Sequence, residues 1–257
     1  MKKIQGLSPA KINLTLDVFR KKTGENFHPL KTIFHKISLV DKVEIVENST
    51  FVIEGKFSCK MEENLIHKAF SLVQKNYSTA KSVKVKIKKN IPEKSGLGGG
   101  SSNFATFIQL YFQLFDMGQI PNSIIEASKS FGKDIPFFFG KTSCSLGNSF
   151  GEDINPLNFN FSKTPIFIYQ PTFKNATAQM YQTLQNLGTH FTQDFLQNPS
   201  LEKCGNGFDQ FLKEEKYKMI LKKLTLKNFH LCGSGSCFFS LKKHDVSHCK
   251  IFEVNCL

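Results

Sequence analysis

The sequence predicts a mixed α/β protein, with strands and helices in an α+β arrangement, and three observations predict it. Ile12, Leu14, Leu16 and Val18 alternate with Asn13, Thr15 and Asp17, the period-two pattern of a half-buried strand. Val83, Val85 and Ile87 alternate in the same way with Lys84, Lys86 and Lys88. Soon after this second strand comes a glycine-rich run, and then Phe104, Phe107, Ile108, Tyr111, Leu114 and Phe115 recur at three- and four-residue spacing. That spacing puts one apolar stripe on an amphipathic helix, which must pack against a sheet. Most of those aromatic rings then belong to the core rather than to a ligand.

A second helix is predicted from a cap at Asn122 to a stop near Phe131 and Gly132. Residues 133–140 read as a short turn and an apolar Phe137-Phe138-Phe139 run, and Gly147 to Asn160 as a looser stretch. The second half offers a strand at Ile166 to Tyr169, a helix around Ala176 to Leu187, and polar helical segments over 200–224. It closes with strand-like Phe229 to Cys232, the turn Gly233-Ser234-Gly235-Ser236, and strand-like Cys237 to Leu241. There is no internal repeat. The change of texture near residue 155 suggests two domains, 1–155 and 156–257.

Composition narrows the class. With 40% hydrophobic and 21% charged residues over 257 positions, the chain can bury a substantial core. No apolar run reaches the eighteen or so residues of a membrane span. Met1 to Gly6 carries a basic pair without the apolar stretch of a signal peptide. The expectation is a cytoplasmic protein with no membrane partner. Seven cysteines, an odd number without repeating spacing, suit reduced thiols better than a disulfide framework. Cys232 and Cys237, or His244, His248 and Cys249, lack the close spacing of a zinc site. The net charge of +13 invites a nucleic-acid reading, but the lysines are dispersed and form no block. A basic field also recruits an anionic small substrate, and that reading is preferred, with no nucleic-acid partner.

Gly96-Leu97-Gly98-Gly99-Gly100-Ser101-Ser102-Asn103 leads straight into the helical stripe. Glycines let the backbone come close to a ligand, and the first helical turn offers unpaired N–H groups and the positive end of the helix dipole. A phosphate fits there. An isolated glycine run can also be no more than a loop, but here the serines and the helix argue for the anion. A Walker A loop would need a lysine where Ser101 stands, and a dinucleotide fingerprint starting at Gly96 would need a glycine there. The protein-kinase signatures are missing as well.

Two further segments stand in order with the glycine run: Pro9-Ala10-Lys11-Ile12-Asn13-Leu14 before it and Cys232-Gly233-Ser234-Gly235-Ser236-Cys237 after it. The three together resemble the three motifs of the GHMP small-molecule kinases. Asn26-Phe27-His28 and Gly132-Lys133-Asp134-Ile135-Pro136-Phe137 bring the resemblance to the branch that phosphorylates a cytidine diphosphate-linked methylerythritol. The similarity spans nearly the whole chain, dense to residue 140 and weak over 185–225. It implies a two-domain GHMP kinase fold, with an N-terminal half like ribosomal protein S5 domain 2, a ferredoxin-like C-terminal half and the active site between them. It also implies ATP as co-substrate, Mg2+, and phosphorylation of the 2-hydroxyl in the non-mevalonate isoprenoid pathway, by a monomer or a homodimer.

The resemblance assigns roles residue by residue. Gly96, Leu97, Gly98, Gly99, Gly100, Ser101 and Ser102 would wrap the triphosphate, Asn64 would touch the adenine, and Ser102 is the candidate for the metal. Asp134 occupies the position of the catalytic aspartate, as a base or as an orienting anion, and Lys11 that of its cationic partner. Asn13, Phe27, His28, Thr177 and Tyr181 would form the substrate pocket, with aromatic rings for the cytosine. Phe27 stands where the family has a tyrosine, which keeps stacking and loses a phenolic hydrogen bond. Glu93-Lys94-Ser95 replace extra family glycines. The Gly233–Ser236 segment would support the phosphate loop, or be a plain hairpin turn. Two other readings remain: a GHMP kinase acting on homoserine or mevalonate, and a basic RNA-binding protein.

Overall fold

The strand expected at residues 12–18 is the end of a longer one. In the computed structural model, which describes residues 2–257 except Asn186 and Lys223, β1 spans Lys3–Val18 and β2 spans Leu30–Glu47. The chain forms two compact units that interleave along it: residues up to Ala10, Leu39–Glu93 and Gly98–Lys141 in the first, and Lys11–Ser38, Lys94–Leu97 and Thr142–Leu257 in the second. No single cut at residue 155 gives this division, because β1 and β2 each contribute one part to each unit.

In the first unit, β3 (Val52–Glu54) runs parallel to β4 (Val83–Lys88), which pairs antiparallel with β2, and β1 follows β2 in the sheet. Val83, Val85 and Ile87 are buried while the β4 lysines are half-buried or exposed, as the alternation predicts. Four helices complete the unit: α1 (Leu65–Asn76), α2 (Gly99–Leu114), α3 (Asn122–Ser128) and α4 (Ile135–Phe139). Helix α2 begins before its apolar stripe, at the glycines. It is not amphipathic in place, since Ser101, Ser102, Asn103 and Thr106 are buried with Phe104, Phe107 and Tyr111. The aromatic rings are core, with Phe70 against Phe107 and the Tyr111 hydroxyl donating to the carbonyl of Lys81 at 2.8 Å.

The boundaries of α3 differ from expectation. The cap of α3 is Pro121 rather than Asn122, and the helix ends at Ser128, after which i→i+3 bonds carry a tighter turn to Phe131. The apolar run at Phe137–Phe139 lies in the single turn of α4, whose second residue, Pro136, sits in the first helical turn, where proline is tolerated.

In the second unit, β5 (Cys144–Asn148) pairs antiparallel with the start of β2 and forms a hairpin with β6 (Asp153–Leu157). The looser stretch expected at 147–160 is therefore mostly this hairpin. Its Asn, Gly and Pro residues read as loop, but they serve the turn at Asn148–Gly151 and an outer strand that tolerates Pro156. β7 (Pro165–Pro171), β9 (His230–Leu231), β10 (Phe238–Ser240) and β11 (Cys249–Asn255) form an antiparallel sheet in the order β11-β7-β10-β9. β11 has no clean alternation and went unexpected. The helix expected over 176–187 is only α5 (Thr177–Gln182); the chain then turns so that the N–H of Gly188 reaches the carbonyl of Val18. Short 3-10 turns, β8 (Gly205–Asn206) and α7 (Glu215–Leu221) replace most of the polar helix expected at 200–224, and α6 (Phe191–Gln197) is an addition.

The largest difference lies in β1. From Lys11 to Val18 every residue is buried, so Asn13, Thr15 and Asp17 do not face water as a half-buried strand requires. β8 lies parallel to β1, with Thr15 opposite Gly205. The start of α6 supplies donors to Asp17, whose carboxylate accepts from Thr189 Oγ1 at 2.6 Å and from the N–H groups of Phe191 and Thr192 at 2.9 Å each. Burying those polar groups is tolerable because each is hydrogen-bonded. Among the described residues no helix is long and apolar enough to cross a membrane.

Candidate active site

The glycine run is shaped by close approaches on either side of Leu97. Gly96 has φ 81°, and a Cβ there would overlap the carbonyl oxygen of Cys232, so no other residue fits. The carbonyl of Leu97 accepts from the N–H of Lys11 at 2.9 Å, and the carbonyl of Ser95 accepts from the N–H of Cys237 at 3.2 Å. Residues 95–97 are thereby fastened to β1 and to the Cys232–Cys237 hairpin within the second unit. That segment is a hairpin turn, as the simpler reading had it, and also a support of the loop.

In the first unit, Gly98 takes the left-handed conformation, φ 70° and ψ 16°, and caps α2. Its carbonyl accepts the first helical bond, from Ser102 N–H at 2.9 Å. The N–H groups before it have no partner inside the helix, and glycines at 99 and 100 leave them uncovered by side chains of their own. Ser101 Oγ donates to Asp134 Oδ1 at 2.6 Å, which sets a carboxylate beside this helix terminus. Asp134 itself precedes α4 as its N-terminal cap residue.

Ser102 behaves differently from its neighbour. It is fully buried, and its hydroxyl accepts from Ser8 Oγ at 2.8 Å. Behind it lies a polar network that sequence reading missed. Asn103 Nδ2 donates to Ser8 Oγ at 2.8 Å and to Asp41 Oδ2 at 3.0 Å, while Lys89 Nζ donates to Asn103 Oδ1 at 2.9 Å and pairs with Asp41. Asp41 also accepts from the N–H groups of Asn90 and Ile91 at 2.7 and 2.9 Å. The network fixes the start of α2 against the chain that leads into the glycine run. Its one sequence signal is Asn103, the last residue of the quoted motif.

The second unit gathers the other expected residues. Lys11 Nζ donates to Asn13 Oδ1 at 2.7 Å and lies 5.5 Å from the centre of the Phe34 ring. Gly233 comes close to both: a Cβ there would be 3.6 Å from Lys11 Nζ and from Asn13 Oδ1. Asn206 Nδ2 holds that turn by donating to the carbonyls of Leu231 and Gly233 at 2.7 and 2.8 Å. His28 stacks on Tyr181, ring centres 5.8 Å apart, and its Nδ1 bonds the Phe19 carbonyl oxygen at 2.8 Å. Tyr181 meets Phe208 edge to face. Phe27 is 58% exposed and touches Phe150. Thr177 starts α5, and its hydroxyl accepts from Ser234 Oγ at 3.2 Å.

Asn64, expected at the adenine, stands at the N-terminus of α1. Its side-chain oxygen caps α1, accepting from Ile66 N–H at 2.9 Å, so that atom has a structural task. Buried thiols are held neutral: burial pushes Cys237 up to about 12 and Cys232 well above the ordinary thiol range, although Lys11 opposes the shift at Cys232. Among the described residues no group of three or more His, Cys, Asp and Glu side chains could hold a metal ion.

The family described as the GHMP kinases N terminal domain matches residues 64–141, which contain the glycine run and Asp134. The 4-diphosphocytidyl-2-C-methyl-D-erythritol kinase of Thermodesulfovibrio yellowstonii is 32% identical, covering 90% of this chain and 87% of its own length. The protein of the same name from Prochlorococcus marinus is 30% identical over 87% of this chain and 74% of its own length. A crystal structure of 4-(cytidine 5'-diphospho)-2C-methyl-D-erythritol kinase shares the fold, with a TM-score of 0.75 at 23% identity over 98% of this chain and 99% of that one. A homoserine kinase from Cytophaga hutchinsonii follows at 0.65, with 12% identity over 100% and 95% of the two chains. The chain therefore belongs to the GHMP kinases, in the family of the 4-diphosphocytidyl-2-C-methyl-D-erythritol kinases.

Proposed function

We propose that the protein transfers the γ-phosphoryl group of ATP to the 2-hydroxyl of 4-diphosphocytidyl-2-C-methyl-D-erythritol, giving ADP and the 2-phosphate, as a step of the non-mevalonate isoprenoid pathway. The observation that carries the reading is the Ser101–Asp134 hydrogen bond, which puts a carboxylate at the bare N-terminus of α2. The names borne by the relatives support it.

Phosphoryl transfer asks for positioning and charge neutralisation more than for covalent chemistry. The N–H groups of the first turn of α2 take the phosphate oxygens, and the glycines there admit them to close range. Asp134 accepts the proton of the 2-hydroxyl as its oxygen bonds to the γ-phosphorus. The bond from that phosphorus to the bridging β-γ oxygen breaks, and ADP carries away the electron pair. Lys11 supplies positive charge to the alcohol and the transferring group. Ser101 holds the carboxylate in orientation.

His28 and Tyr181 offer stacked rings to a cytosine, with Phe27, Asn13 and Thr177 as further substrate contacts. Neither homoserine nor mevalonate carries a base that would use those rings. Magnesium, when bound with the nucleotide, neutralises phosphate charge. Ser102 does not fit a resident ion, because it is fully buried and its oxygen already accepts from Ser8.

A coupled ADP-release assay with each alcohol tests the substrate. Faster turnover of homoserine or mevalonate would replace the cytidine compound. Asp134→Ala is expected to lower turnover by roughly a hundredfold or more while ATP still binds, and unchanged turnover in that variant would end the mechanism.

A further inference from the structure

Four groups of the second unit form a hydrogen-bonded chain whose direction chemistry fixes. The carbonyl of Thr15 can only accept, so the Thr32 hydroxyl, 2.6 Å away, spends its single proton there. Toward Asn13 the same oxygen can then only accept, and the group facing it at 2.7 Å is the Asn13 amide nitrogen. The amide is thereby locked with its oxygen on the opposite side, toward the ammonium of Lys11 at 2.7 Å. Thr32 is fully buried, Asn13 3% exposed and Lys11 5% exposed, so water does not readily replace any link.

We propose that Thr32 is a positioning residue of the phosphoryl-transfer reaction: through Asn13 it sets the direction of the Lys11 ammonium and keeps a carbonyl dipole, rather than an amide N–H, against that charge. The inference rests on the functional reading above and gives Asn13 a task beyond the substrate contact that the family resemblance implies. Without the Thr32 oxygen the buried amide N–H loses its acceptor, and the side chain is held by hydrogen bonding only from the Lys11 end. Its oxygen then no longer meets the ammonium in one fixed direction, and the Lys11–Asn13 hydrogen bond weakens.

The experiment uses the whole chain with ¹⁵N-labelled lysine, its Lys11 signal assigned by loss in Lys11→Arg. Lys11 is titrated in the absence of any substrate, and kcat, KM and the pH profile are then measured with ATP and the cytidine alcohol. The Cys232 thiol lies in electrostatic range of Lys11, and its burial keeps it neutral, so it adds no titration near neutrality. The Phe34 ring and the Gly233 peptide that also face the ammonium do not titrate. In Thr32→Val the Lys11 pKa is expected to fall by roughly one unit, kcat by roughly tenfold, and the alkaline limb of the profile to move to lower pH, with KM for ATP within about twofold of wild type.

Thr32→Ser, which keeps the hydroxyl, should restore all of these. Asn13→Leu should lower the Lys11 pKa as Thr32→Val does, and the double variant no further; it also serves if Thr32→Val does not fold. An unchanged Lys11 pKa in both single variants, or no recovery in Thr32→Ser, overturns the proposal. A wild-type protein inactive on the cytidine alcohol would sink the functional reading and with it the assigned role of Thr32.

Discussion

β1 and β4 carry the same period-two pattern of apolar and polar residues and reach opposite ends. On β4 the polar positions are Lys84, Lys86 and Lys88, and they stay half-buried or exposed. On β1 they are Asn13, Thr15 and Asp17, and all are buried. Alternation fixes which residues share a face of a strand, but not whether the polar face meets water. Side-chain chemistry narrows that choice. A lysine has a strongly hydrated charge on a long flexible stem and is rarely buried without a partner. Asn, Thr and Asp are short, and their polar atoms can be satisfied by fixed neighbours, as Thr32, Thr192 and the start of α6 satisfy them here.

The sharpest way to break this comparison is Asp17→Ala. Its carboxylate serves one hydroxyl and two backbone N–H groups at the N-terminus of α6, where His190, the residue in the cap position, makes no side-chain cap bond. Leaving those buried donors unpaired should cost about 3 kcal/mol, a fall in Tm of roughly 6–12 °C by calorimetry. A loss below ~0.5 kcal/mol would mean that the buried face of β1 is not held by these bonds.

His35 on β2 gives an intermediate case, being buried with Nδ1 on the Lys36 carbonyl oxygen and Nε2 without a hydrogen bond among the described residues. Burial pushes its pKa below the usual 6.5, opposed by that backbone bond. The unfolded chain therefore binds more protons than the folded one as pH drops below about 6.5. The stability this histidine contributes is present above that pH and is lost as pH falls toward its folded pKa, with a slope of at most about 1.4 kcal/mol per pH unit. Urea unfolding between pH 7.5 and 5.5 should show a steeper loss in wild type than in His35→Phe. Parallel curves would remove the assignment.

The smallest effect belongs to the exposed face. Lys86 is exposed and reaches Glu54 only at 4.0 Å, so Lys86→Thr should change stability by no more than about 0.5 kcal/mol. A larger loss in the same urea assay would show that the lysine face of β4 does more than remain solvated.

Of the candidate site, only the glycine run could be read from residue types and spacing; the other residues were pointed to by the family resemblance alone. The glycine run before a helix was legible because steric freedom and the helix terminus are local properties. The aromatic stripe of α2 reads as core because three- and four-residue spacing is a local property too. The hairpin at 144–157 and β11 were not legible, since one is rich in turn residues and the other lacks alternation. The network of Ser8, Asp41, Lys89 and Asn103 joins residues up to 95 positions apart in sequence, and no local pattern announces it.

The sequence by itself determined the strands with clear alternation, at 12–18 and 83–88, and the glycine turn before α2, because backbone sterics and side-chain periodicity act over a few residues. Tertiary structure alone decided which polar side chains would be buried and which way each would point. Ser101 turned to Asp134 and Ser102 to Ser8, although they are neighbours of similar chemistry. Asn64 gave an oxygen to a helix cap, and Asn13 turned its oxygen to Lys11. The physical reason is that a buried hydrogen-bonding group must find a partner, and partners are supplied by whatever distant segment the fold brings alongside.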